Sequence, residues 1–269
     1  HWGVATTEYV KKTFLSIPLT DREQIIGVIN ASADIIPPNY QKTLESLAGL
    51  MSPIIALQRA KSAQEKNFFE TIKRVMDFTE ALSPYTSGHS FRVSRYAGKL
   101  AQDLNLLEKH SEIIEKGARV HDIGKIAMMD LVKKRGKLTG EQMRIMRTHP
   151  LLGEQFIKGF DFLKDTIPIV KYHHERFDGK GYPGELKGEG IPPPVRIVTV
   201  AEVYDAMTTD RSYRGHHSFQ YAVAQLKKYS GRQFDPAVVK VFLRNLPSLR
   251  EFTEDTKNEA DTLLQESAY

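Results

Sequence analysis

Nine histidines and no cysteine set the terms for any chemistry this 269-residue chain can perform. Without thiols there are no disulfides, no thiolate metal sites and no cysteine nucleophiles. Imidazole and carboxylate remain, a donor set that suits iron, manganese, zinc or similar divalent ions. Six histidines sit where a fold could bring them together: His89, His110, His121, His149, His173 and His174. His121-Asp122 lies in the string HDIGK, inside a stretch that reads as helix. Adjacent helical residues diverge by about 100°, so both reach one centre only if it lies over the groove between them. The carboxylate can bridge two cations while the imidazole holds one. Lys125 follows His121 by four residues, on the same helical face, where a point positive charge suits a substrate phosphate.

The second pair, His173-His174, ends the apolar run Ile167-Pro168-Ile169-Val170, and two adjacent imidazoles are costly to bury unless hydrogen-bonded or metallated. His149 precedes Pro150 and so falls at a helix boundary. Asp205 lies within VRIVTVAEVYDAM, a mostly apolar helix, where a carboxylate needs an ion partner or a cation. These five His and two Asp exceed one tetrahedral site, so two metals are expected. Two cations about 3.5–4 Å apart form a clamp for phosphoester hydrolysis.

The elements that must position these groups divide the chain in three. Up to about residue 39 the character is strand: FLSIPL (14–19) and IIGVIN (25–30) flank the polar turn Asp21 to Gln24, a hairpin pattern. From 39 to 81 a helix is expected. Leu44, Leu47, Leu50, Met51, Ile54, Ile55 and Leu57 recur at three-to-four spacing, continued by Phe68, Ile72, Val75, Met76 and Phe78. Pro53 should kink or split it. This long helix could be a connecting rod or a dimer seam, or could equally pack on its own domain. From about 82 to 250 the pattern is helical almost throughout, interrupted by DGKGYPGELKGEGIPPP (178–194), whose five Gly and four Pro in seventeen residues exclude a helix interior. A loop of that length inside a compact domain is usually functional. The expected divisions are 1–61, 62–81, 82–250 and a polar tail, 251–269, read as surface helix or disorder.

Composition is that of an ordinary globular chain, 41% hydrophobic and 26% charged, with a formal net charge of +5 and a sequence pI near 9.1. A mild basic excess suits an anionic ligand. No basic run is interleaved with aromatics, so a nucleic-acid polymer is not expected as partner. No apolar run approaches the roughly 20 residues of a membrane span, and no signal peptide is visible. A cytoplasmic location is expected, without membrane contact. The start at His1 rather than Met is expected of a piece of a longer protein.

Five strings resemble the HD-GYP family, a branch of the HD metal-dependent phosphohydrolases: TSGHSFRVS (86–94), HDIGK (121–125), the isolated His149-Pro150, HHERFDGKGYPGELKGEGIP (173–192) and AEVYDAMTTDRSYR (201–214). YSGRQFDP (229–236) is similar to a common family ending. The likeness spans about 80–245, and its HHERFDGKGYPG string is highly specific. The resemblance implies an all-helical HD-type bundle. It implies that His89, His121, Asp122 and Asp205 hold one metal. Asp122 would bridge to a second, held by His149, His173 and His174. Lys125 would contact a substrate phosphate, Arg211 and Arg214 would line the guanine or phosphate side of the cleft, and Gly181-Tyr182-Pro183 would shape the loop beside the site. Some family members bind a third metal through a Glu four residues before the first ligand His; that position is Tyr85 here, so two metals are expected. Residues 14–61 resemble the last two strands and closing helix of a GAF sensor domain.

The implied activity is hydrolysis of the 3′–5′ phosphodiester bonds of cyclic di-GMP to pGpG and/or GMP, by a metal-activated hydroxide with Asp122 and Lys125 as catalytic residues. Iron is the first expected metal and manganese the next. Another cyclic dinucleotide such as cyclic GMP-AMP, a non-catalytic cyclic di-GMP receptor, and a di-iron oxygenase are the alternatives. Lys125 and the loop containing Gly181-Tyr182-Pro183 weigh against the oxygenase. The full ligand set weighs against the receptor.

Overall fold

The computed structural model describes residues 13–33, 37, 39–83, 86–209 and 218–245, with 252, 255, 256, 258–260 and 262 of the C-terminal stretch. They fall into two compact units that meet at Phe69/Glu70. That division lies inside the expected linker rather than at 61 or 81.

In the first unit, β1 (Thr13–Asp21) and β2 (Gln24–Ala33) pair antiparallel across the tight turn at Arg22 and Glu23. The expected hairpin is therefore present, with an irregularity between Leu19 and Thr20. Ile17 and Leu19 alternate inward to meet Leu44 and Ala48 of helix α1 (Tyr40–Ala81). Thr20 N donates to Ser52 Oγ at 3.0 Å. Pro53 does not split α1, which runs unbroken through it. The proline ring is solvent-exposed. The carbonyl it deprives of a donor is that of Gly49, itself an exposed residue, where water can take the donor's place.

The second unit is helical. Helices α2 (His89–Asp103), α3 (Glu108–Val120), α7 (Ile167–Tyr172), α8 (Pro193–Thr208), α9 (Phe219–Lys228) and α10 (Pro236–Arg244) enclose one apolar core. Its stripes follow the helical period: Val93, Tyr96, Ala97 and Leu100 on α2, and Val195, Val198, Ala201 and Tyr204 on α8. Helices α4 (Met129–Val132), α5 (Gly140–Met146) and α6 (His149–Ile157) connect α3 to α7. The C-terminal stretch is more than a solvated tail: Thr256 and Ala260 are buried, and Phe252 meets the Tyr96 ring edge-on at 6.3 Å. Four-residue steps place these three on one face of an otherwise polar segment. Among the described residues no helix is long and apolar enough to cross a membrane.

Candidate metal centre

The HD pair is not in a helix interior. α3 ends at Val120, His121 caps it, and a 3-10 helix spans Ile123–Met128. The tighter 3-10 winding brings residues three apart into register, and Lys125 Nζ therefore meets Asp122 Oδ2 at 2.5 Å instead of sharing a face with His121. Gly124 permits the next approach. A Cβ there would stand 2.0 Å from the His149 carbonyl oxygen and 2.6 Å from Gly153 N. Only glycine lets the first turn of α6 close on the HD segment, which brings His149 to Asp122. His173 and His174 leave the C-terminus of α7, and Thr199 of α8 donates to the His173 carbonyl at 3.1 Å.

Two sets of donor atoms converge. His89, His121 and Asp122 form one; Asp122, His149, His173 and His174 form the other, each with its ligand atoms within 4.8 Å of one another. Asp122 belongs to both, as a bridging carboxylate must. The ring orientations are fixed from behind. His121 Nδ1 donates to Ala118 O at 2.7 Å, His149 Nδ1 to Met146 O at 2.7 Å, and His173 Nδ1 to Val170 O at 2.9 Å. A carbonyl oxygen only accepts, so each Nδ1 carries a hydrogen, and it is Nε2 that each ring turns inward, free to ligate in the neutral form.

Those Nε2 atoms face one another. His149 Nε2 lies 3.1 Å from His173 Nε2 and 3.1 Å from Asp122 Oδ1. His121 Nε2 lies 3.4 Å from Asp122 Oδ2. His121 Nε2 and Asp122 Oδ1 are buried without a hydrogen-bond partner. Acceptors that converge in this way require positive charge between them. The titration of the cluster says the same. Burial alone would lower His121, yet the Asp122 carboxylate pushes it up to about 9, so that a proton on this ring supplies positive charge where a cation otherwise would. Burial would raise Asp122, but Lys125 and His121 hold it well below the usual carboxylate range. Burial, with neighbouring imidazoles, drives His173 well below its ordinary value, and burial takes His174 down to about 4. Both are thus neutral ligands near pH 7. Imidazole and carboxylate donors of this kind fit divalent cations, and two such ions fit the two sets.

Asp205 joins neither set. It is 1% exposed and stands behind His89, accepting from Nδ1 at 2.7 Å. It also receives Arg92 Nε at 2.7 Å and Nη2 at 3.2 Å. Burial would raise its carboxyl, and Arg92 with His89 holds it low instead. The ion partner demanded by an apolar helix is thus Arg92, which sequence reasoning missed because an Arg three residues after His89 reads as a solvated face. His110 is exposed near the start of α3, away from the cluster. Arg211, Arg214 and Tyr85 lie outside the described residues.

The loop expected to border the site does so. The Tyr182 ring stacks on His174 with centroids 4.8 Å apart, and the Arg147 guanidinium lies 5.3 Å from the Tyr182 centroid. Gly181 packs on the backbone of Glu175 and Arg176, where a Cβ would come within 2.4 Å of Glu175 Cα. Glu175 is buried and accepts from Gly184 N at 2.6 Å and Leu186 N at 3.0 Å. The loop base is tied to the 229–236 segment, with Phe177 N donating to Gln233 O and Asp178 N to Arg232 O. Glu202 of α8 lies 3.8 Å from His174 Nδ1. Neither Glu175 nor Glu202 was singled out from the sequence.

The chain is 40% identical over 185 residues to the cyclic di-GMP phosphodiesterase response regulator RpfG of Xanthomonas campestris pv. campestris, covering 68% of this chain and 49% of that protein. It is 31% identical over 224 residues to a cyclic di-GMP phosphodiesterase of Thermotoga maritima, covering 79% and 61% respectively. It therefore spans less than two thirds of either relative. The crystal structure of a cyclic GMP-AMP-specific phosphodiesterase of Vibrio cholerae superposes with a TM-score of 0.54 at 21% identity, over 73% of this chain and 53% of that one, a likeness of fold. Residues 51–238 match the HD domain family. With two buried His/Asp sets that share the aspartate of the HD pair, the chain belongs to the HD domain family.

Proposed function

We propose that the chain is an HD-GYP phosphodiesterase that hydrolyses the 3′–5′ phosphodiester bonds of cyclic di-GMP to pGpG and/or GMP. The observation that carries this is the convergence of Nε2 and carboxylate oxygen atoms on Asp122. His89, His121 and Asp122 would hold one divalent cation, and Asp122, His149, His173 and His174 the other. Iron is the first choice and manganese the next. When bound, two cations supply Lewis acidity that lowers the pKa of water and offsets charge on phosphoryl oxygens.

The chain's own residues do the rest. The backbone carbonyls of Ala118, Met146 and Val170 hold three imidazoles in the one tautomer that can ligate. Asp205 does the same for His89, held in turn by Arg92. Lys125, a quarter exposed beside Asp122, offers its ammonium to a substrate phosphate. Arg147, Arg211 and Arg214 are further cations for an anionic dinucleotide, with Tyr182 shaping the cleft wall. The relatives named for cyclic di-GMP hydrolysis support the substrate.

The test is turnover by the purified chain, loaded anaerobically with Fe(II) or with Mn(II), with products separated by chromatography. pGpG or GMP from cyclic di-GMP is the expected result. Hydrolysis of cyclic GMP-AMP alone would move the substrate, and binding without turnover by a metal-replete chain would make it a receptor.

The dimer expected through α1 has support in the register of its exposed side chains. Leu47, Leu50, Ile54 and Leu57 are solvent-exposed at alternating steps of three and four, and Val75 and Phe78 fall in the same seven-residue register. That is the spacing of a two-stranded coiled-coil seam. A monomeric mass in solution would remove it. The hairpin and first half of α1 are assigned to the closing part of a GAF-like sensor, and an enzyme acting on an intracellular second messenger is assigned to the cytoplasm.

A further inference from the structure

Helix α2 begins without a cap of its own. Its N-cap residue is Gly88, at φ 68°, which contributes no side-chain hydrogen bond. The cap comes instead from the last turn of α1. Glu80, 5% exposed, accepts from Ser90 N at 3.0 and 3.3 Å through its two oxygens, and from Ser90 Oγ. Ser90 is the neighbour of the ligand His89. One turn earlier on the same helix face, Asp77 accepts from Arg119 Nη2 at 2.5 Å. Arg119 is buried on α3, two residues before the ligand His121, and its guanidinium lies 6.0 Å from the Phe91 centroid on α2. One turn of α1 thus grips both segments that deliver imidazoles to the first donor set.

We propose that Glu80 and Asp77 are positioning residues for the first metal site. Glu80 sets the start of α2 and so His89, and Asp77 sets the end of α3 through Arg119 and so His121. The second set shares Asp122 with the first but draws its three imidazoles, His149, His173 and His174, from α6 and the end of α7, which these contacts do not touch. The position of the last turn of α1 is therefore read out as cation affinity at the first site more than at the second. α1 is the covalent path from the first unit, so a change in that turn is a means of regulating the centre. The proposal rests on the assignment of His89, His121 and Asp122 to a cation.

The test is Mn(II) titration of the full chain by calorimetry, with stoichiometry from elemental analysis and melting in the absence of metal as a folding control. The wild type is expected to bind two ions per chain. Glu80→Ala should weaken one site by about 10- to 100-fold, the range for residues that orient metal ligands, and the other by less. Combined with His121→Ala it should add little; combined with His149→Ala it should leave no strong site. Glu80→Gln, which keeps one acceptor oxygen, should recover most of the affinity. Should Glu80→Ala not fold, Asp77→Ala decides by the same readout, with recovery in Asp77→Glu. Two unchanged sites in the folded variants, or two sites weakened equally, would overturn the proposal. A wild type that binds no Mn(II) would overturn the assignment of the metal centre itself, and the proposal with it.

Discussion

His149 Nε2 and His173 Nε2 lie 3.1 Å apart, and each ring has already committed its Nδ1 hydrogen to a backbone carbonyl. Two lone pairs at that distance repel, and Asp122 Oδ1, 3.1 Å from His149 Nε2, adds a third acceptor. A cation converts this repulsion into attraction. Divalent metal should therefore stabilise the fold strongly. At free Mn(II) about 100 times the dissociation constant, one site contributes about 2.7 kcal/mol, which for a unit of this size is a rise in Tm of about 5–10 °C. Asp122→Ala removes the atom common to both sets and should abolish both the rise and turnover. A metal-dependent Tm shift in Asp122→Ala equal to that of the wild type would falsify the shared-carboxylate arrangement.

Lys125 is expected to act on substrate rather than on metal. Its ammonium rests on Asp122, and cations bound at Asp122 would repel it toward the cleft. Lys125→Met should lower kcat by about 100-fold, the usual effect of deleting one donor that faces developing charge, with Mn(II) stoichiometry unchanged. Loss of metal instead of kcat would reassign the residue to holding the centre together.

The residues of the two donor sets were legible in the sequence because His121-Asp122 and His173-His174 are improbable in apolar surroundings without a partner. His149 was legible through Pro150. The loop at 178–194 was legible from Gly and Pro alone. What sequence reasoning could not find was the layer behind the ligands. Arg92, Glu80, Asp77, Glu175 and Glu202 are charged residues in helical or loop stretches, where a charge ordinarily marks the solvated face. Their roles depend on which helices pack together, and that information is tertiary. The HD pair was placed in a helix interior for the same reason: periodicity does not separate the last turn of α3 from the 3-10 turn that follows. Asp205 was read correctly as needing a partner, but Arg92, the nearer cation, lies 113 residues away in sequence.

Tyr182 should matter for its ring and not for its hydroxyl. Burial and nearby carboxylates push the phenol well above its ordinary range, so it is neutral at any working pH. The ring stacks on His174, a contact worth about 0.5–1.5 kcal/mol. Tyr182→Phe should leave Mn(II) affinity near the wild-type value, and Tyr182→Ala should weaken one site by up to about tenfold, since 1.36 kcal/mol is a factor of ten. The comparison is a pair of Mn(II) titrations. A large effect of Tyr182→Phe on kcat with affinity intact would give the hydroxyl a chemical step.

Glu175 should be the residue on which the shape of the loop depends. It is 1% exposed, and its two oxygens are shared between Gly184 N and Leu186 N. Removing them in Glu175→Ala strands two amides, a cost of about 2 kcal/mol or more, so Tm should fall. Gly181→Ala attacks the same contact from the other side, because its Cβ would meet Glu175 Cα at 2.4 Å and Arg176 N at 2.5 Å. Both neighbours are backbone and cannot rotate away, so the loop must move. The two substitutions should therefore share a signature: reduced turnover of cyclic di-GMP with raised KM, and retained Mn(II) at the set formed by His89, His121 and Asp122. Because the two residues share one contact, the double variant should lose less stability than the sum of the single losses. Full additivity in thermal melts would mean that Glu175 and Gly181 support the loop independently, and that the close approach between them does not set its conformation.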